Sequence, residues 1–242
     1  MFDDYFEFFL ADTDKSKEIH YSIRYQVYCE EMGFENKDDF PLEQEFDEYD
    51  NHSTHFIVRH KPTGQWVGAM RLIFQNGQPL PLERHCTLHE LIDKSNSDES
   101  VELSRLCFVK EVRRRLNDVD PPHGIIDDRS EIKETHKVRL LHNHHRNNRS
   151  IIWGLLRVAS EYGYRNNIQS CFFLTTNALA KIIRKSGLKM LNIGEPCYYN
   201  GERYPFKMDV TETYFSEIWK DHSKKGYRQF SELSSIQKLR AA

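Results

Sequence analysis

The stretch "VELSRLCFV", Val101 to Val109, has the apolar character of a buried strand, yet it carries Glu102, Ser104 and Arg105. An unpaired polar group costs roughly 2–7 kcal/mol to bury, and a lone charge costs more, so such residues pair with one another or face a cleft. A carboxylate that faces a cleft can take a proton from a nucleophile, which makes Glu102 the candidate base. Strict alternation puts Glu102 and Ser104 on one strand face with Leu106 and Phe108, and Arg105 on the other, unless a β-bulge redirects them. A bulge would also free backbone N–H groups to hold a developing oxyanion. Arg24 and Arg71 are two further cations in apolar segments. Three arginines outnumber one base, so they are expected to pair with Asp47, Asp50 or Glu102 and to hold a loop over the cleft. The alternative is a buried ion-pair network with no chemistry.

The flanking elements must position these groups. "YFEFFLAD" predicts a strand, followed by a helix capped at Asp14 or Ser16, with Ile19, Ile23 and Val27 as its core stripe and Arg24 in a neighbouring aromatic face. Gly33 is its stop signal. The next loop holds eight carboxylates, Glu35, Asp38, Asp39, Glu43, Glu45, Asp47, Glu48 and Asp50, against the single base Lys37, and is too charged to pack as regular core. It could attract an amine, or simply be solvated. "STHFIVRHKPTGQWVGAMRLIF" reads as two strands around a turn, with Arg71 in the second. "ERHCTLHELID" reads as a short helix or turn before "VELSRLCFV". The chain from Arg113 to about Arg149 is polar and irregular, an insertion or cover. "SIIWGLLRVASEYGYRNN" is a helix with Ile152, Leu155, Leu156 and Ala159 as core, then "QSCFFLTT" a strand, "NALAKIIRKSGLK" a helix, and "MLNIGEP" and "RYPFKMDV" strands. From about residue 211 the tail is expected to be helical. This order gives an α/β chain, a mixed central sheet with helices on its faces, read over residues 1–242 as one domain.

Composition narrows the function classes. With 242 residues and 28.8 kDa the chain can bury a sizeable core. A formal net charge of -3 gives no global field for nucleic acid or a membrane surface. No window approaches the ~20 apolar residues of a membrane span, and the acidic N-terminus has no basic leader region, so a cytoplasmic location is expected. Five cysteines without a CxxC pair read as free thiols of a reducing compartment. No P-loop and no GxGxxG supports a nucleotide fold. His136, His142, His144 and His145 could offer imidazoles to zinc, but no Cys or carboxylate completes the set at a known spacing, so no metal is assigned. Cys107 lacks an assigned His partner and reads as a small buried hydrophobe rather than a nucleophile. Twelve Tyr and fifteen Phe suit an acyl tunnel or a core equally.

Four segments in order and spacing, "IRYQVYCEEMGF", "EFDEYDNHSTHFIVRH", "GAMRLIF" and "VELSRLCFV", resemble the autoinducer-synthase branch of the GNAT-like N-acyltransferases. "NIGEPCYYNGERYPF" resembles the subgroup associated with PEP-CTERM/exosortase systems, akin to N-acyl amino acid synthases. The resemblance spans roughly residues 5 to 210. It implies a GNAT-like sheet with a V-shaped split, in which an amine attacks an acyl thioester, and no tightly bound cofactor. It places Arg24, Asp47, Asp50, Arg71, Glu102, Ser104 and Arg105 on the polar motif positions and Phe34 on an aromatic one. Glu102, Ser104 and Arg105 would then be catalytic, and Arg24, Phe34, Asp47, Asp50 and Arg71 would bind substrate.

"KEVRRRLND" has the bases of a coenzyme A loop without its glycines. Lys110, Arg113, Arg114 and Arg115 suit the acidic surface of an acyl carrier protein instead, or form a solvated basic loop. The expected donor is therefore acyl carrier protein, with acyl-CoA second, and the expected acceptor an amino acid or similar amine. Two alternatives stand beside this: an acyl-homoserine lactone synthase using S-adenosylmethionine, and a catalytically silent protein that binds acyl carrier protein or an acyl chain.

Overall fold

A computed structural model describes residues 5–92, 99–112, 151–222 and 226–233. The first strand, β1 (Phe6–Leu10), leads into α1 (Asp14–Arg24) through Thr13. Thr13, rather than Asp14 or Ser16, is the N-cap: its side chain accepts from the Ser16 N–H, and Ser16 reciprocates, a capping box. The helix continues as a π-helical segment, Tyr25–Glu31, and Gly33 follows it at φ 63°. Next come β2 (Ser53–His60), β3 (Trp66–Phe74), the short α2 (Pro81–His85) and β4 (Ser100–Phe108). After them stand α3 (Ile151–Arg165), β5 (Ser170–Thr175), α4 (Asn177–Lys185), β6 (Leu191–Asn192), β7 (Cys197–Tyr198) and β8 (Glu202–Asp209).

The strands, with β9 (Tyr227–Gln229) near the end of the chain, form a mixed sheet in the order β6-β8-β5-β4-β3-β2-β1-β9, with β7 paired to β8. Among the described residues only the β4–β5 and β1–β9 pairs are parallel. Alternation along β2 sends Thr54 and Phe56 to one face, where Tyr162 of α3 meets both, and His55 to the other, where His20 and Tyr21 of α1 pack on it. Helices therefore cover both faces of the mixed α/β sheet, as expected. Ile23 and Val27 are buried and Ile19 is partly so; Ile152, Leu155, Leu156 and Ala159 are core.

Three expectations are corrected. The tail is not uniformly helical: after α5 (Val210–Tyr214) and α6 (Trp219–His222) it adds β9 (Tyr227–Gln229) beside β1. The open edge of β1 offers unpaired backbone groups, and Tyr227 gains aromatic contacts with Phe56 and Tyr162. "MLNIGEP" contributes only a two-residue strand. Cys29, Cys107 and Cys171 are free, but Cys86 and Cys197 form a disulfide across 111 residues, with Cα atoms 5.2 Å apart. That pairing removes the support that cysteine spacing lent to a reducing compartment. Among the described residues no helix is long and apolar enough to cross a membrane. The insertion at 113–149, with Arg113, Arg114 and Arg115 and the four candidate histidines, lies outside the described residues.

Candidate active site

The β4 strand pairs with β3 in regular register from Val101 to Ser104 and again at Cys107 and Phe108. Between Ser104 and Cys107 two residues, Arg105 and Leu106, stand opposite the single Met70 of β3, a β-bulge. Arg105 takes φ 50°, a left-handed conformation unusual for a side-chain-bearing residue. The bulge breaks the alternation, and the arginine that a regular strand would point away reaches the acidic loop. On its other side β4 pairs with β5 only from Ser100 to Leu103, although both strands run further. The two strands part there, opening a V in the sheet.

A cavity of about 370 Å³ lies in that opening. Its lining combines polar groups, Asp47, Arg71, Glu102, Ser104, Arg105 and Tyr199, with apolar ones, Val27, Ile152, Leu156, Phe173, Leu179 and Ile183. Phe34 lines it too, stacked on Tyr28 at 6.4 Å between ring centroids.

Two kinds of polar burial meet here. The first is a lattice. Arg24, fully buried, is ion-paired with Glu45 and, at 2.7 Å, with Asp50. Arg71 grips both Asp47 oxygens at 2.5 and 2.9 Å and approaches Asp50 at 2.8 Å. Arg105 donates to Glu45 at 3.0 Å, Glu35 at 3.2 Å and Asp47 at 3.3 Å, and lies 5.3 Å from the Tyr28 ring. His55 bonds Asp50 at 2.9 Å. Burial pushes the Asp50 carboxyl up, but the His55 bond and the charges of Arg24 and Arg71 outweigh it and hold it well below the usual range. Asp47 is lowered by the same contest, Arg71 being the main opponent of burial. The expected pairing of arginines with Asp47 and Asp50 is found. The acidic loop nevertheless packs: Glu45 and Asp50 are buried because the arginines need counter-ions.

The second is Glu102. It is buried, and among the described residues no arginine lies within ion-pair distance of it, contrary to the option that it pairs with one. Its Oε2 accepts the Leu82 N–H of α2 at 2.9 Å. Burial pushes its carboxyl up to about 8, against the pull of the Leu82 N–H and of the Arg71 charge. A carboxyl in that range exchanges protons near neutrality, as a general base must. Ser104 stands opposite Arg71 in register, with Arg71 Nη2 3.4 Å from its hydroxyl. Cys107 lines the cavity as a buried thiol pushed by burial up to about 12, a poor nucleophile, in keeping with its reading as a hydrophobe.

Sequence reasoning missed Glu35, Glu45, His55, His85 and Tyr199. Tyr199 accepts from Arg105 Nη1 at 3.2 Å, and its ring lies tilted against that of His85 with centroids 4.2 Å apart. His55 had a signal, since it stands in an apolar strand; Glu45 was one carboxylate among eight. Lys110 is exposed and its backbone N–H bonds Glu31 at 3.2 Å, away from the lattice.

The sequence profile described as the acetyltransferase (GNAT) domain matches residues 23–118, a span that holds Arg24, the acidic loop, Arg71 and the bulged strand. Comparison with curated protein sequences gives no match. Among solved structures the chain is similar to BjaI, a CoA-dependent acyl-homoserine lactone synthase solved with SAM and isopentyl-CoA. The two are 13% identical with a TM-score of 0.61, over 96% of this chain and 99% of that one. It is also similar to MesI, another CoA-dependent acyl-homoserine lactone synthase (15% identity, TM-score 0.57, 93% and 98% covered). A third is TofI in a ternary complex with an inhibitor and MTA (17% identity, TM-score 0.56, 84% and 91% covered). At identities this low the likeness establishes the fold: a GNAT-like mixed sheet split between its parallel central strands.

Proposed function

We propose that this protein is an N-acyltransferase that moves a fatty acyl group from a carrier thioester to the amine of a small acceptor. The single observation that carries the reading is the placement of Glu102: a buried carboxyl raised to about 8, on the bulged strand and in the lining of the cavity. In the proposed reaction the acceptor ammonium loses one proton to become nucleophilic. The neutral amine attacks the thioester carbonyl, the C–S bond breaks, and amide and thiol form. Glu102 takes the proton that nitrogen sheds, directly or through a water, and the departing thiolate is protonated. The strand bulge takes Arg105 and Leu106 out of the regular ladder, which supports a role for backbone N–H groups there in holding the oxyanion. Ser104 and Arg105 complete that end of the cleft, while Arg24, Arg71, Asp47 and Asp50 fix the loop beside it and Phe34 borders the acyl arm. No tightly bound cofactor is required.

Acyl carrier protein is the proposed donor, with Lys110 and the arginines at 113–115 as its docking charges; acyl-CoA is the alternative. An amino acid is the proposed acceptor, in line with the resemblance of "NIGEPCYYNGERYPF" to the exosortase-associated group. The similarity to BjaI, an acyl-homoserine lactone synthase solved with SAM, favours a second reading, a lactone synthase that uses SAM. The test is mass spectrometry of products formed from long-chain acyl carrier protein or acyl-CoA with a pool of amino acids plus S-adenosylmethionine. An N-acyl amino acid supports the first reading and an acyl lactone the second. Carrier binding without thiol release or product, across chain lengths, would support the silent binding protein instead.

A further inference from the structure

Arg203 differs from the other arginines that border the cleft. Arg71 and Arg105 are neutralised by carboxylates, whereas among the described residues Arg203 has no ion-pair partner while lining the same cavity. It is nonetheless held in place. Its Nη2 donates to the Asn200 carbonyl at 2.7 Å and its Nη1 to the Glu202 carbonyl at 3.1 Å, so the guanidinium folds back over the turn. That turn requires a glycine: Gly201 takes φ 101°, and a Cβ there would lie 3.2 Å from Arg203 Nη1. The hairpin is tied to the cleft at three points. Arg203 stands opposite Cys197 in the β7–β8 register, and Cys197 is disulfide-bonded to Cys86 at the end of α2. Tyr199 packs its ring against His85 and accepts from Arg105 of the bulge.

A guanidinium has five N–H donors, and two backbone bonds leave the rest, with an uncompensated charge, for a ligand. We infer that Arg203 binds the α-carboxylate of the acceptor, so that the site selects α-amino acids, free or as part of a larger molecule, over simple amines. This rests on the acyl-transfer reading. The other anion in the reaction, the phosphate of either donor, is separated from the thioester by the whole pantetheine arm. An α-amino acid carries its carboxylate one carbon from the nucleophilic nitrogen. Because Tyr199 joins the Arg203 hairpin to the bulge, the nearer anion fits.

The test is equilibrium binding of N-acylglycines with octanoyl, dodecanoyl and hexadecanoyl chains against the corresponding neutral N-acylglycinamides. Wild-type protein is expected to prefer the acid by about tenfold or more, the size of a charge-assisted hydrogen bond. Arg203→Gln should abolish the preference while leaving glycinamide affinity unchanged, which also reports that the variant is folded, and Arg203→Lys should restore part of it. Equal binding of acid and amide by the wild type, no binding of either, or a preference that survives in Arg203→Gln would overturn the assignment. So would an Arg203→Gln effect confined to the KM for the acyl donor. Absence of thioester turnover with the acid preference intact would instead remove the catalytic reading and leave this one standing.

Discussion

Glu102 and Arg105, the lattice arginine nearest to it in sequence, stand three residues apart on β4, and Glu102 and the lattice solve burial in opposite ways. In the lattice every buried charge has an opposite charge at hydrogen-bond distance, and the arginines hold the Asp47 and Asp50 carboxyls below their usual range. Glu102 has one backbone N–H and no counter-ion among the described residues, and its carboxyl rises to about 8. The same low-dielectric surroundings thus produce permanent charges where partners are supplied and a proton-exchanging group where they are withheld. The lattice is suited to holding the loop and the bulge; Glu102 is suited to moving a proton.

The largest effect should come from breaking the lattice. Arg24→Met removes the buried cation that Glu45 and Asp50 share, leaving Glu45 with Arg105 and Asp50 with Arg71, and should cost about 3 kcal/mol of stability, measured by urea unfolding. A loss below about 1 kcal/mol would mean that the lattice is not what holds this region. Next in size, Glu102→Gln should lower turnover by about 10²-fold or more without loss of the fold, since glutamine can still accept from Leu82, and the unfolding midpoint near neutral pH should hold or rise because glutamine needs no proton on folding. The pH dependence of stability sharpens the contrast. Glu102 has a folded value of about 8, above the roughly 4.3 of an unfolded chain. The folded state therefore binds the extra proton, and this contribution is complete below about 4.3 and is lost as pH rises through 8. Asp47 and Asp50 act in the opposite sense: their folded values are depressed, so their contribution is present above the unfolded carboxylate value and is lost as pH falls through the folded ones. Denaturation across pH should show both limbs in wild type and only the acid limb in Glu102→Gln. A smaller effect is expected at the surface: Lys110→Glu should raise the KM for acyl carrier protein a fewfold, and added salt should shrink the difference.

The sequence showed the bulged strand by its own contradiction, since an apolar run with Glu, Ser and Arg in it cannot alternate regularly without stranding a charge. It showed Arg24 and Arg71 in the same way, as cations inside apolar patterns. It could not choose Glu45 and Glu35 from eight carboxylates, because their selection depends on how the loop folds back onto Arg24 and Arg105. Nor could it pair Cys86 with Cys197 or bring Tyr199 to His85, contacts made across more than a hundred residues of chain. Strand β9 was hidden for a related reason: three residues carry too little periodicity, and β1 supplies the edge that makes them a strand.

The most direct test of Glu102 as the base is the pH profile of kcat/KM for wild type and Glu102→Gln with one acceptor, taken as a ratio so that ionisation of the amine cancels. The account predicts a ratio that climbs with pH, as the Glu102 carboxylate forms, and levels off above about 8. A ratio that is flat across pH, or near one throughout, would contradict it and make Glu102 a structural partner of α2.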